Sequence, residues 1–234
     1  MKIDIWSDIV CPFCYIGKRH LELALEQFPH RDQVEISWHS FQLDPTAPAE
    51  VTEPSSKMLA SKYGMPLEQA IANQQALEQQ AAGVGLEYHL ETTRTGNTFD
   101  IHRVMHLATE QGVGDAAQER FMRAHFSDNE PVNDPEVLVR LATEIGLEEA
   151  HMREVLAGDE YTDAVKADIA QAGAYGARGV PFFVLAEAVG VSGAQPVEVF
   201  SRALEQAWAT ANPLQMVSDG GADGAACEGD ACAV

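Results

Sequence analysis

The sequence predicts an α/β fold in which a large all-helical insertion divides a small sheet-containing core. Strand signals occur near both ends of the chain: residues 2–7 place Ile3 and Ile5 on one face, and β-branched and aromatic residues return at 180–185. Between them, capping residues and glycine stops divide the chain into segments of helical length. The predicted order is therefore β-α-β, a helical insertion, and β-β-α.

The first βαβ unit is predicted from a change of periodicity at Cys11. Pro12 suits the first turn of a helix because its missing N–H would find no partner there. The next apolar residues share one helical face, at Leu21, Leu25 and Phe28. We expect this helix to end near Phe28, and residues 34–43 to form the second strand.

Residues 44–173 are expected to form the helical insertion, because capping residues and glycine stops recur along them. The predicted helices run from Ser55 or Ser56 to Gly64, from Pro66 to near Gly83, from Asn97 or Thr98 to Gln111, through Phe121, from Asp134 to Ile145, from Leu147 to Ala157, and from Tyr161 to Tyr175.

The core resumes with two strands at 180–185 and 188–192, joined by a hairpin across Ala186 and Glu187. Pro196 then opens a final helix through Trp208. The predicted domains are 1–43 together with 174–209 for the core, 44–173 for the insertion, and 210–234 for a C-terminal tail.

Charge and cysteine usage limit the classes of function. The formal net charge of -21 would repel nucleic acids and anionic membranes, which require clustered Lys and Arg. The first residues lack the features of a secretory signal and no stretch suits a membrane span, so we expect a cytoplasmic protein. In a reducing cytosol, four cysteines in two close pairs indicate redox chemistry or metal binding.

The first pair, Cys11 and Cys14, forms a C-x-x-C motif at the predicted strand-to-helix turn. This spacing places both sulfurs in the first helical turn, with Cys11 exposed and Cys14 shielded. The positive end of the helix favours a thiolate at Cys11. We therefore expect Cys11 to attack a disulfide and Cys14 to resolve the mixed disulfide. Half of a zinc site, or two incidental thiols, are the alternatives.

Further motifs give the chain a resemblance to a known family. They are Asp8-Ile9-Val10-Cys11-Pro12-Phe13-Cys14-Tyr15-Ile16-Gly17, Asn97-Thr98 with His102-Arg103 in the insertion, and Gly179-Val180-Pro181-Phe182. Over the body of the chain, it resembles the DsbA-type thioredoxin-like proteins, and their cytoplasmic FrnE-like branch in particular. The resemblance implies a thioredoxin-like fold with an inserted all-helical domain, and thiol:disulfide oxidoreductase or isomerase activity.

The resemblance also implies roles for individual residues. Pro181 would be cis and face the dithiol, Val180 would pair with an extended substrate through its backbone, and Pro12 and Phe13 would contact the substrate. DsbA has His where this chain has Phe13, and a phenyl ring cannot donate a hydrogen bond to a Cys11 thiolate. We therefore expect a less oxidising disulfide than that of DsbA.

The second pair, Cys227 and Cys232, lies in the tail, which offers thiols little burial. FrnE-like proteins include members with such a pair, so the resemblance implies an auxiliary dithiol that exchanges electrons with Cys11 and Cys14. The alternatives are inert thiols, a local disulfide, or a soft-metal site.

His102 and His106 have the i, i+4 spacing of a zinc-binding helix face. Arg103 stands where an H-E-x-x-H motif requires glutamate, so we interpret both histidines as packed or polar helix residues. Asn97, His102 and Arg103 match recurring family positions and receive no catalytic step.

The expected reaction is thiol–disulfide exchange on protein or small-thiol disulfides, with no organic cofactor, no metal, and no nucleic-acid or membrane partner. One alternative is a glutathione-dependent isomerase of a small aromatic or polyketide substrate, but that class has Ser in place of Cys11. The other is a metal-sequestering thiol protein, for which the tail is the discriminating feature. The sequence leaves the direction of exchange and the oligomeric state open.

Overall fold

Alternating apolar residues place the first strand at the centre of a sheet. The computed structural model describes residues 1–49, 51 and 53–213. Its strands are β1 (Lys2–Ser7), β2 (Glu35–Ser40), β3 (Phe182–Leu185) and β4 (Val189–Ser192). They form a four-stranded sheet in the order β2-β1-β3-β4, in which β1 is parallel to β2 and antiparallel to β3. This is the predicted order of core elements.

The two faces of the sheet are covered by different helices. Helices α1 (Pro12–Glu26) and α9 (Val197–Ala211) pack together on the face that carries Ile3 and Ile5. Trp6 points to the opposite face, where it packs with Ala172 and Val184, because side chains alternate along a strand.

The insertion consists of helices. Their bounds are α2 (Ser55–Tyr63), α3 (Leu67–Ala82), α4 (Phe99–Glu110), α5 (Gly114–Phe126), α6 (Pro135–Glu144), α7 (Glu149–Ala157) and α8 (Thr162–Ala174). Helices α3 and α4 are joined by the long connection of residues 83–98. Helices α4, α5 and α8 all contact β2, so the insertion packs directly on the edge of the sheet.

The structure corrects two local predictions and decides between the alternatives of a third. The second strand ends at Ser40, and the chain turns away at Phe41, whose N–H donates to the Ser7 carbonyl. Ser55 is the first helical residue of α2, not its cap, because its hydroxyl donates to the buried Leu90 carbonyl at 2.9 Å. Of the two predicted caps of α4, Asn97 is the one whose side chain accepts a hydrogen bond, from Phe99 N at 2.9 Å, and Thr98 makes no side-chain cap.

The hairpin between β3 and β4 turns across Ala186 and Glu187, as predicted. Both residues have positive φ angles, 51° and 54°, the conformation that a two-residue type I′ turn requires. None of the helices within the described residues is long and apolar enough to cross a membrane.

Candidate active site

Cys11 and Cys14 lie together at the start of α1. Cys11 is the N-cap residue in an extended conformation, Pro12 is the first helical residue, and Cys14 N donates to the Cys11 carbonyl at 3.0 Å. Both cysteines are free thiols. The turn thus presents two sulfurs within one helical turn, the spacing of a C-x-x-C redox motif.

The expected exposure of Cys11 is wrong, since only 3% of this residue is exposed to solvent. Its thiol lies 3.5 Å from the Val180 carbonyl oxygen, to which it donates. From the insertion, the Tyr88 hydroxyl donates to the Pro12 carbonyl at 2.8 Å. The loop before β3 and the insertion therefore both cover the turn, and the exposed part of the motif is Phe13, at 46%.

The Val180–Pro181 peptide bond is cis, as the resemblance implies. A glycine on α1 makes room for this loop: a Cβ added at Gly17 would lie 3.0 Å from Pro181 Cγ and 3.3 Å from the Phe183 ring. The close approach brings Val180 within reach of Cys11. Gly17 is thus a positioning residue for the Val180–Pro181 loop. It is the last residue of the motif that begins at Asp8, and the sequence alone assigned it no role.

Cys14 is the more protected thiol of the pair. Burial raises its pKa well above the usual value of 9.0, and its hydrogen bond with Cys11 adds to the increase. The polar surroundings given by the Asp8 backbone and the Ser7 side chain lower the pKa of Cys14 by a smaller amount. Cys14 therefore remains a thiol until something accepts its proton.

Behind the motif lies a buried carboxylate with two buried histidines. Asp8 is 1% exposed and accepts from Leu43 N at 2.9 Å. His102 Nε2 lies 3.5 Å from Asp8 Oδ1. Burial lowers the pKa of His125 to about 4, although the Asp8 charge opposes this, so His125 is neutral near pH 7. The described residues contain no group of three or more His, Cys, Asp or Glu arranged to hold a metal ion.

A second polar network joins the sheet edge to the insertion. Asp168 on α8 lies 2.8 Å from His39 Nδ1 and 3.0 Å from His106 Nε2, and it accepts from Ser40 N at 2.8 Å. His39 Nε2 lies 2.8 Å from Asp4 Oδ1. This network could not be predicted from the sequence, because its members are far apart in the chain and share no motif.

Arg103 and Asn97, two residues of the family motifs, hold parts of the insertion together. Arg103 is 4% exposed and donates to the carbonyls of Val155, Gly158 and Glu160, which ties α4 to the end of α7. Asn97 Nδ2 donates to the Pro45 and Ala47 carbonyls at 3.2 Å. Neither residue makes a hydrogen bond to Cys11 or Cys14.

A cleft of about 220 Å³ opens beside the cysteine motif. Asp8 and Val10 line it next to the motif, and Lys62 pairs with Asp44 at 2.9 Å across it. Its apolar lining comes from Leu43, Pro48, Met58, Leu59 and Tyr63. Leu43 and Tyr63 are themselves 44% and 64% exposed, so the cleft has an apolar rim.

The fold and the buried dithiol turn define a class of protein. Residues 2–205 match the model of the DSBA-like thioredoxin domain, and the chain belongs to this family. This confirms the resemblance to DsbA-type proteins and the thioredoxin-like α/β fold with helical content. Cys227 and Cys232 lie outside the described residues, and placement in the FrnE-like branch stays a prediction.

Individual relatives cover nearly the whole chain. A probable DsbA oxidoreductase from Streptomyces coelicolor is 49% identical, covers 100% of this chain and 99% of its own, and superposes with a TM-score of 0.88. The uncharacterized protein YwbO of Bacillus subtilis is 26% identical over 87% of this chain and 96% of its own length. The cytosolic disulfide reductase DsbM of Pseudomonas aeruginosa, 15% identical with a TM-score of 0.60 over 88% of this chain and 98% of its own, shares the fold.

Proposed function

We propose that the protein is a thiol:disulfide oxidoreductase that acts on protein disulfides through Cys11 and Cys14. The observation that carries the proposal is a free dithiol at the first turn of α1, with Cys11 within 3.5 Å of the Val180 carbonyl and Cys14 fully buried behind it. The Streptomyces coelicolor relative, which is 49% identical, is a probable oxidoreductase, and this supports the same class of chemistry. The thioredoxin-like core, 1–43 with 174–209, holds the dithiol, and the insertion, 44–173, forms one wall of the substrate site.

The reaction follows from the different environments of the two sulfurs. Cys11, at the positive end of α1, attacks one sulfur of a substrate disulfide, and the other substrate sulfur leaves as a thiolate. Cys14 then attacks Cys11 in the mixed disulfide and forms the Cys11–Cys14 disulfide, which releases the second substrate thiolate. The substrate gains two electrons and the protein dithiol loses two; the reverse sequence oxidises a substrate dithiol.

The surface around the motif favours an extended polypeptide as substrate. Val180 offers its backbone beside Cys11, Phe13 offers an exposed ring, and Pro12 and Pro181 frame the turn. The adjoining cleft, with its apolar rim, has room for one apolar side chain of the peptide. We propose a cytoplasmic location, which is also that of the cytosolic disulfide reductase DsbM of the same fold.

Insulin reduction and refolding of a scrambled disulfide protein test this function with one preparation. We expect catalysed insulin reduction with a thiol donor, or catalysed recovery of the refolded protein, and the ratio of the two rates defines the preferred direction. Equal rates for the wild type and for Cys11→Ser in both assays would overturn the proposal.

Phe13 is expected to set the redox poise of the dithiol. Phe13→His introduces a hydrogen-bond donor beside Cys11, stabilises the thiolate and therefore makes the disulfide more oxidising. We expect the reduction potential, measured against glutathione buffers, to rise by about 30 mV or more, which corresponds to roughly 1.4 kcal/mol. Phe13→Leu, which adds no donor, is the control; a potential unchanged in Phe13→His would show that this position does not set the poise.

The tail pair, Cys227 and Cys232, is proposed to shuttle electrons to the Cys11–Cys14 disulfide. A tethered thiol acts at high effective concentration, so attack on the disulfide becomes intramolecular. Deleting residues 226–234 should leave single-turnover reaction of Cys11 intact and slow multiple turnover, or make it depend more on added thiol.

The double variant Cys227→Ser and Cys232→Ser is the matched control, because it keeps the length and charge of the tail. It should behave like the deletion, and mass spectrometry of the quenched wild type should detect a crosslink from the tail to Cys11 or Cys14. Full turnover without the two thiols, and no crosslink, would remove the tail from the mechanism. Zinc or cadmium retention that disappears with the thiols would then assign the pair to metal binding.

A further inference from the structure

Most cations of this acidic chain are paired with a carboxylate, and the exceptions can be identified. The chain has 15 Lys and Arg residues against 36 Asp and Glu, and all 15 lie within the described residues. Arg94, Arg178 and Arg202 are the ones that form no ion pair with a described carboxylate. Arg202 Nε still donates to the Glu198 carbonyl at 3.3 Å. Arg94 and Arg178 make no side-chain hydrogen bond to the described residues either.

These two arginines lie next to the dithiol. Arg178 is exposed and stands two residues before Val180, whose carbonyl accepts from the Cys11 thiol at 3.5 Å. Arg94 is also exposed and directly precedes Thr95, which lines the cleft beside the cysteine motif. One arginine therefore belongs to the core loop at Cys11, and the other to the wall that the insertion contributes to the cleft.

A shortage of carboxylates does not explain why they are unpaired, because the net charge is -21. Within the same cleft, Lys62 pairs with Asp44 at 2.9 Å. The guanidinium groups of Arg94 and Arg178 are thus available to a ligand. A guanidinium binds a carboxylate through two parallel N–H···O bonds, which makes an acidic side chain the natural partner.

The backbone around Arg178 is available as well. Among the described residues, no group accepts a hydrogen bond from an N–H of residues 178–180. Backbone pairing resumes at Pro181, whose carbonyl accepts from Gly193 N at 2.8 Å. An extended peptide can pair with this loop, and the residues that flank its half-cystine then come close to Arg178.

We propose that Arg178 and Arg94 select substrates in which Asp or Glu lies close to the reacting cysteine. The inference rests on the proposed function and names the class of peptide that the site prefers. The two arginines attract a carboxylate locally, although the field of the whole protein repels it. The exchange is unchanged: Cys11 and Cys14 lose two electrons and form a disulfide, while the substrate disulfide gains them and becomes two thiols.

The C-terminal sequence of the chain has the same chemistry. No Lys or Arg follows Arg202, and Glu228 and Asp230 lie between Cys227 and Cys232. An acidic cysteine segment can therefore come from this chain or from another protein. The experiment below distinguishes the two sources.

Two peptide disulfides of equal size test the preference. One is a short cyclic peptide with Glu and Asp between its two cysteines, the other has Gln and Asn there, and both have blocked termini. The protein is the reduced full-length chain with Cys227→Ser and Cys232→Ser, so only the dithiol of α1 reacts. Acid quenching and chromatography give the second-order rate constant of each peptide. The acid preference is the rate constant of the acidic peptide divided by that of the amide peptide.

We expect an acid preference above one at about 0.15 M salt, where charges more than about 8 Å away are screened. Arg94→Gln and Arg178→Gln should each lower it about 1.4- to 5-fold, the range of an exposed ion pair. Arg202→Gln is the matched control, because it removes the same charge from an exposed arginine that does not line the cleft, and it should leave the preference unchanged. At about 1 M salt the preference should approach one in every variant.

Glu228→Gln with Asp230→Asn identifies the source of the segment. A higher acid preference in that variant shows that the tail competes for the arginines, and an unchanged one assigns them to other proteins; both support the inference. Equal rate constants for the two peptides with and without these tail substitutions overturn it. So does a preference kept by the double variant Arg94→Gln and Arg178→Gln, or lowered as much by Arg202→Gln as by Arg178→Gln. If neither peptide oxidises the dithiol, the proposed function itself fails.

Discussion

Cys11→Ser is expected to abolish thiol–disulfide exchange, because the hydroxyl of serine neither ionises near pH 7 nor forms a disulfide. Cys14→Ser should keep the attack by Cys11 but lose the resolving sulfur, so mixed disulfides with substrates accumulate. Both variants should fold, since serine is close to cysteine in size. Insulin turnover measures the first effect, and non-reducing electrophoresis with mass spectrometry measures the second.

The roles of the two cysteines are distinguished by their reactivity. Burial raises the pKa of Cys14, so alkylation at neutral pH should label Cys11 first. Cys14→Ser and the wild type should then be labelled at similar initial rates. Faster labelling of Cys14, or trapped substrates in Cys11→Ser, would reverse the assignment.

Asp168→Asn is expected to lower the free energy of unfolding by about 3 kcal/mol, because it removes the charge from a largely buried group that faces two imidazoles. Asparagine keeps the shape and can still accept from Ser40 N. The control is Asp163→Asn on the same helix, whose side chain is exposed. Urea unfolding measures both variants, and equal stability of the two would contradict the role of this network.

The effect of Asp168→Asn on the free energy of unfolding is expected to depend on pH. Burial opposes the charge on both groups, yet their hydrogen bonds outweigh it: the pKa of Asp168 falls well below its usual 3.8, and the pKa of His39 rises above its usual 6.5. The Asp168 contribution is present above pH 3.8 and is lost as the pH falls through its lowered pKa. The His39 contribution is present below pH 6.5 and is lost as the pH rises through its raised pKa.

The stability difference between the wild type and Asp168→Asn should therefore be largest in mildly acidic solution and should shrink towards alkaline pH. Urea titrations across that range test this. A difference that stays constant, or grows with pH, would show that His39 is not charged against Asp168 in the folded protein.

The order of strands and helices could be predicted because each element carries a local signal. The alternation at Ile3 and Ile5, the glycine stop at Gly64 and the N-cap at Asp134 depend on residues next to one another in the chain. Errors occurred where a distant partner overrode a local preference. Ser55 was predicted as a possible helix cap, but its hydroxyl donates to the Leu90 carbonyl instead.

The candidate site also combines features that local sequence predicts with features that depend on distant residues. The C-x-x-C turn at Cys11 and Cys14 is a local motif and could be predicted directly from the sequence. The burial of Cys11 could not, because it depends on Val180 and Tyr88, which reach the turn from other parts of the chain. His102 was singled out by its spacing to His106 and by a family motif, whereas its position beside Asp8 is a property of the packed structure.

The two parts of the dithiol site lie at opposite ends of the polypeptide. During synthesis, β1 and α1 leave the ribosome first, and β3, which supplies the cover over Cys11, emerges only after the entire insertion. Central strand β1 pairs with both β2 and β3, so its second neighbour arrives late and closes a long loop. In a nascent chain the Cys11–Cys14 turn therefore lacks this cover until β3 has emerged, a period in which a disulfide on another molecule can exchange with its thiols.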